Sequence, residues 1–232
     1  VSQRSIVVTG AFGALGSAVA TAFANRGDIV SLIDAATIIP DAVRSRFPAP
    51  HLLYAAVDLT QWDGARTTFE RIGSERGIDV LVNVAGGFLW EKLADGDTTA
   101  FDRMFAINLK TAVVAARTAL PHLLRSRAGR IVNIGAGAAA AHSGAGMGAY
   151  AASKAGVHRF TESLADELKE SGVTVNAVLP GTIDTPANRR DMPNADHSRW
   201  VAPGDIAAVI VFLASDGARS INGALVPVNG RA

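Results

Sequence analysis

Seven short apolar runs constrain this chain more than any other feature: Ser5–Thr9, Ile29–Ile33, Leu53–Val57, Val80–Val84, Arg130–Ile134, Thr174–Leu179 and Leu225–Val228. A strand with one wetted face alternates polar and apolar residues. These runs are apolar almost throughout, as strands covered on both faces are. Longer stretches of helical character separate them: Leu15–Asn25, Trp62–Glu75, Thr98–Arg125, Ala151–Glu170 and Pro203–Ala214. Strands that alternate with helices pair parallel through crossovers. The pattern predicts an α/β fold, a doubly wound, mainly parallel sheet of seven strands with helices on both faces.

At 232 residues, with no internal repeat and no Pro/Gly/Ser-rich linker, residues 1–232 read as a single domain. Hydrophobic residues make up 49% and charged residues 19%, a composition for a buried core and not for disorder. With no cysteine, disulfides, a cysteine nucleophile and a thiolate metal site are excluded. The five histidines form neither H-E-x-x-H nor a close cluster, so no metal is expected. His122 and His158 read as partly exposed or helix-contact residues. A net charge of +1 leaves no basic stripe for nucleic acid. No run of apolar residues is long enough to span a bilayer. Val1-Ser2-Gln3-Arg4 runs straight into the first strand, leaving no room for a signal peptide. A cytoplasmic protein is expected. Residues 184–201 show no convincing period and read as an irregular substrate loop.

Chemistry starts where the first strand ends, at Thr9-Gly10-Ala11-Phe12-Gly13-Ala14-Leu15-Gly16. Small residues between strand and helix let backbone N–H groups and the positive helix end approach a pyrophosphate. Asp34 ends the second strand, 18 residues beyond Gly16. A carboxylate there accepts hydrogen bonds from ribose hydroxyls and repels a 2′-phosphate, and Ala35 and Ala36 supply no cation to receive one. NAD(H) is therefore favoured over NADP(H); the other reading of Asp34 is a plain turn or helix cap. Asp58 either meets the adenine amino group or caps the helix that starts at Trp62. Asn83-Val84-Ala85-Gly86-Gly87 would let a ribose and nicotinamide lie against the sheet. Together these features make the domain Rossmann-type.

Tyr150 and Lys154 stand i,i+4 near a helix start, on one face. A phenol titrates near about 10, and an ammonium beside it favours the phenolate. That pairing suits a general acid–base, with Lys154 also in reach of a ribose hydroxyl.

In these motifs, from Ile6 to Gly230, the sequence resembles the short-chain dehydrogenase/reductase family. The resemblance implies that Gly10, Phe12, Gly13, Ala14, Leu15 and Gly16 line the nucleotide loop. It puts Asp58 and Leu59 on the adenine side and Asn83, Ala85 and Gly86 beneath the nicotinamide ribose. Asn108, in Ile107-Asn108-Leu109, is similar to the family asparagine that holds a relay water. Tyr150 and Lys154 match the catalytic pair. Pro180, Gly181, Ile183 and Thr185 resemble the segment that holds the nicotinamide, Ile183 through its backbone. The activity implied is NAD-dependent hydride transfer between nicotinamide and a carbonyl or alcohol. The other class of reading is a non-catalytic dinucleotide sensor, which would bind NADH and turn nothing over.

Three departures qualify the resemblance. Ala14 stands where most members place the middle glycine. Gly135-Ala136-Gly137-Ala138 occupies the region of a family serine that donates to the substrate oxygen. Loss of such a donor costs about 10²–10³ in rate when charge builds on oxygen, unless a group such as Ser143 or His142 substitutes. Thirdly, Gly135–Tyr150, Val84–Phe88 and the stretch Leu179–Trp200 are similar to the dihydropteridine reductases, a branch that also lacks the serine and reduces quinonoid dihydropterin with NADH. Trp90 and Trp200 are pocket candidates, and Met147 either walls the substrate or fills a gap. The residues along Ala151–Glu170 cover more than one helix stripe, so a homo-oligomer is expected. A homotetramer is placed ahead of the homodimer that the pteridine-reductase resemblance would imply.

Overall fold

Ser5–Thr9 forms the first strand, β1, and all five of its residues are buried. Its side chains alternate between two cores. Ile6 and Val8 pack with Val19, Phe23, Ile206 and Ile210, whereas Val7 packs with Phe69, Ile72, Leu81 and Leu123. This double cover is the physical reason the strand shows no polar alternation.

The computed structural model describes residues 3–231. After β1 come α1 (Ala14–Ala24), β2 (Ile29–Ile33), α2 (Asp41–Arg46), β3 (Leu52–Tyr54), α3 (Trp62–Arg76) and β4 (Val80–Asn83). Next are α4 (Thr99–Met104), a π-helical segment (Phe105–Lys110), α5 (Thr111–Leu123), β5 (Arg130–Ile134) and α6 (Gly148–Glu167). The chain finishes with β6 (Thr174–Pro180), α7 (Pro186–Asp191), α8 (Pro203–Leu213) and β7 (Leu225–Val228). The seven strands lie in the order β3-β2-β1-β4-β5-β6-β7, and every pairing between them is parallel. The chain winds outward from β1 to β3, then returns to start again at β4. That reversal opens a crevice at the carboxyl ends of β1 and β4, where ligands bind in such sheets.

Several boundaries differ from the sequence reading. β3 stops at Tyr54 instead of reaching Val57, because Ala56 turns to a left-handed φ of 57° and leaves the ladder. The stretch Thr98–Arg125 is not one α-helix: α4 and α5 meet through the π segment. α6 begins at Gly148, three residues before the expected Ala151, which places Tyr150 in its first turn. Residues 184–201 are not irregular. They hold α7 and a 3₁₀ turn at His197–Arg199, and their base is closed by a parallel bridge between Ile183 and Val201. α7 starts because Thr185 caps the Asn188 N–H and Pro186 occupies the first turn. No helix among the described residues is long and apolar enough to cross a membrane.

Candidate active site

The glycines after β1 are dictated by close approaches. Gly10 has φ +60°, and a Cβ there would meet Ala85 Cα at 2.8 Å. A Cβ at Gly16 would collide with the Gly10 carbonyl oxygen. Gly13, the exposed N-cap of α1, would meet nothing closer than that same oxygen at 3.5 Å. One side of the loop is thus open. There α1 presents Ala14, Leu15 and Gly16, whose N–H groups have no intrahelical acceptor, and no acidic residue stands in its first turn.

Asp34 Oδ2 accepts from the Phe12 N–H and Oδ1 from the Ala36 N–H, both at 2.9 Å. The carboxylate therefore braces the loop and caps its own turn, while each oxygen keeps a second lone pair. α2, which the sequence reading lacked, brings Arg46 to 3.2 Å from Ser17 Oγ on α1, so a cation stands there although Ala35 and Ala36 supply none. Asp58 does not cap α3, whose N-cap is Gln61. Its Oδ1 accepts from the Thr60 N–H at 2.8 Å and the Thr60 hydroxyl at 2.7 Å. Leu59 is buried in the core beside α3, so only its backbone is left for an adenine.

At the crevice, Thr9 Oγ1 accepts from the N–H groups of Val84 and Ala85 at 3.1 Å each, which turns the end of β4 across β1. Asn83 Nδ2 donates to Asn133 Oδ1 at 2.9 Å and so ties β4 to β5. A Cβ at Gly86 would meet Asn108 Oδ1 at 2.6 Å and Lys154 Nζ at 3.4 Å. Glycine 86 is thus the floor on which the two groups converge.

Asn108, buried in the π segment, is engaged at both ends. Oδ1 accepts from the Gly87 N–H at 2.8 Å, and Nδ2 donates to Ser153 Oγ at 2.9 Å. In the structure it is first a brace between the β4 loop and α6. Lys154 Nζ donates to the Ile134 carbonyl at 2.7 Å, and burial pushes its pKa down to about 8. The Tyr150 ring packs edge-on against Phe88, centroids 4.9 Å apart, and near Met104 and Phe101. Burial pushes its pKa up to about 12. In the free chain burial thus opposes ionisation of the phenol, the reverse of the effect expected from the Lys154 ammonium.

The turn after β5 carries no hydroxyl, and Ala136 is buried. Ser143 does not stand free to replace the serine, since its hydroxyl donates to the Ala138 carbonyl at 2.6 Å. Trp90 is half exposed, with Nε1 donating to the Ala145 carbonyl at 2.8 Å, so its indole is held beside the 144–147 loop. The Trp200 ring lies tilted against His197, centroids 4.3 Å apart. Pro180 and Gly181 lie at the end of β6, where the Gly181 N–H bonds to the Val228 carbonyl. The Ile183 carbonyl accepts from Asn188 Nδ2 at 2.8 Å. Met147 is the N-cap of α6. His122 and His158, read as partly exposed or helix-contact residues, are both buried, His122 of α5 lying against Gly73 of α3. Nothing in the local sequence separates them from surface histidines, because their cover comes from glycines distant in the chain, Gly73 and Gly135. Among the described residues no group of His, Asp and Glu is placed to hold a metal ion.

The sequence model of the short chain dehydrogenases matches residues 4–196. The chain is 35% identical to cis-4-hydroxycyclohexanecarboxylate dehydrogenase of Sinomonas cyclohexanicum, over 99% of this chain and 96% of that protein. It is 32% identical to meso-2,3-butanediol dehydrogenase of Serratia marcescens, over 99% and 94%. A solved short-chain dehydrogenase/reductase from Serratia marcescens BCRC 10948 superposes with a TM-score of 0.89 at 28% identity, over 99% of this chain and 98% of that one.

Proposed function

This chain belongs to the short-chain dehydrogenase/reductase family and is an oxidoreductase; from that premise we propose that it uses NAD(H) on a carbonyl or secondary alcohol, with Tyr150 as general acid and base. The residues fit a dinucleotide. An open glycine face, three unpaired N–H groups at the start of α1 and the spare lone pairs of Asp34 suit a pyrophosphate and a ribose diol. When bound, nicotinamide gives or takes the hydride.

The observation that carries the reading is the disposition of Tyr150 and Lys154. They share one face of α6, the phenol hydroxyl has no hydrogen-bond partner among the described residues, and the ammonium is buried beside Gly86. Tyr150 donates its proton to the nascent alkoxide in reduction and accepts one in oxidation. Lys154, whose Nζ is fixed on the Ile134 carbonyl beside Gly86, would hold a ribose hydroxyl of the dinucleotide, and its positive charge favours the phenolate form of Tyr150. Asn108 contributes by placement: its brace fixes Gly86–Gly87, and the remaining lone pair of Oδ1 serves a water next to Lys154. Asp58, Ile183 and Thr185 complete the adenine and carboxamide ends. Residues 184–201 act as the substrate loop. The relatives' names point to cyclic and vicinal secondary alcohols, and these set the assay.

NADH oxidation is measured with 2,3-butanedione, 4-oxocyclohexanecarboxylate, a 3-oxoacyl thioester and quinonoid dihydropterin, for wild type and Tyr150→Phe. Loss of the acid–base group should lower kcat by about 10²–10⁴-fold with NADH affinity within a few-fold. Because burial raises the Tyr150 pKa, alcohol oxidation should climb as pH rises through the alkaline range, and carbonyl reduction should not. A dinucleotide sensor would bind NADH and turn over none of the panel with either side chain.

A further inference from the structure

Under the turn that leaves β5 lies a second buried base that this chemistry does not use. His158 follows Lys154 by one turn of α6, so both side chains face the end of β5. Lys154 Nζ donates to the Ile134 carbonyl, and His158 Nε2 accepts from the Ala136 N–H at 3.2 Å. With Nε2 as acceptor, the neutral ring carries its proton on Nδ1. The imidazole is 2% exposed. Gly135 measures how near it comes, since a Cβ there would collide with Nε2. On the other side of the turn, a Cβ at Gly137 would meet Asn229 Oδ1 at 3.0 Å.

We propose that His158 is a positioning residue, whose neutral imidazole fixes the backbone of Gly135–Gly137 and with it the wall of the substrate site beside Lys154. The proposal rests on the reading of Tyr150 and Lys154 as the reacting pair. Its logic follows from the missing hydroxyl. A serine can adjust its hydroxyl by rotation about one bond, whereas a wall made of backbone and small residues must be placed by whatever holds the backbone. Here one carbonyl and one N–H, two residues apart, are held by two side chains one helical turn apart. A protonated His158 has no lone pair at Nε2 and would turn an N–H toward the Ala136 N–H, releasing the turn. Burial first, then the positive charges of Arg159 and Lys154, hold its pKa below the usual histidine value. Leu179 of β6 and the glycine and alanine of the turn bring no titratable group against it.

The test compares His158→Gln, which retains an acceptor, with His158→Leu, which does not. Three readouts are taken: NADH titration, hydrogen exchange at the Ala136 amide, and kcat/KM between roughly pH 5 and 8 on the panel compound that wild type reduces. Both variants should bind NADH within threefold of wild type. His158→Leu should lose at least tenfold of the protection at Ala136. Its kcat/KM should fall about 100-fold, the scale of a small misplacement of reacting groups. His158→Gln should stay within tenfold of wild type and lack the acid limb that wild type shows, because glutamine does not titrate. Wild-type protection at Ala136 in the leucine variant would overturn the proposal, as would an unchanged acid limb in the glutamine variant. The second outcome decides even if the leucine variant fails to fold. If wild type turns over nothing on the panel, the functional reading fails by itself, and the exchange data still decide whether His158 holds the turn.

Discussion

Asp34 has two duties in one carboxylate. It holds the Phe12 and Ala36 N–H groups, and its unused lone pairs are those proposed for the ribose. Asp34→Ala removes both at once. Hydrogen bonds to a charged group are worth about 1.5–3 kcal/mol, so NADH affinity should drop about 10- to 100-fold. The preference over NADPH should narrow, because the repulsion of a 2′-phosphate goes too. A titration in which wild type binds NADPH as tightly as NADH would sink the assignment and turn attention to Arg46. At this scale the sequence pointed to the residues proposed for the chemistry and not to their surroundings. The i,i+4 spacing of Tyr150 and Lys154 is a local property. Their proton affinities depend on burial, and burial is supplied by residues as remote in the chain as Met104 and Ile134.

The first βα unit works through contacts that its own glycines permit. Gly16→Ala would drive a Cβ against the Gly10 carbonyl, and backbone cannot yield as a flexible side chain does. Overpacking of this kind costs about 1–3 kcal/mol. Weaker NADH binding and a lower Tm are expected, whereas Gly64→Ala on the open face of α3, where a Cβ meets nothing, should leave NADH affinity unchanged and raise the Tm slightly. Wild-type NADH affinity in Gly16→Ala would mean that the loop tolerates a displaced helix. The long elements were legible because period and length repeat the same signal many times. The π segment was not, since Phe105–Lys110 reads as ordinary helix; its buried Asn108 is held from outside by Gly87 and Ser153. α2 and α7 are six residues each, too short for a period to stand out.

Across the whole molecule, the outer face of the α4–α5 unit leaves apolar side chains exposed between Asp102 and Lys110. Phe105 and Val113 are 39% and 38% exposed. With Asp102, Ala106, Leu109 and Lys110 they line a shallow groove of about 450 Å³. We propose that this face packs against its copy about a twofold axis, as a step toward the homotetramer. Val113→Glu should then lower the mass seen by light scattering at micromolar concentration, with α-helix content unchanged. A monomeric wild type under the same conditions would exclude the assembly.

By itself the sequence determined the strand runs, the helix that follows each glycine turn, the resemblance to a dehydrogenase family and the residues proposed for catalysis. All of these are written in near-neighbour patterns: apolar periodicity, small residues at a strand end, a tyrosine one turn before a lysine. Tertiary structure alone decided that Tyr150 is desolvated, that Asn108 is a brace, that Ser143 is tied to Ala138, and that a buried histidine accepts from the Ala136 N–H in the turn after β5. The reason is physical. Desolvation and hydrogen-bond partners are set by what arrives from elsewhere in the chain, and a residue's own neighbours in sequence carry no record of it.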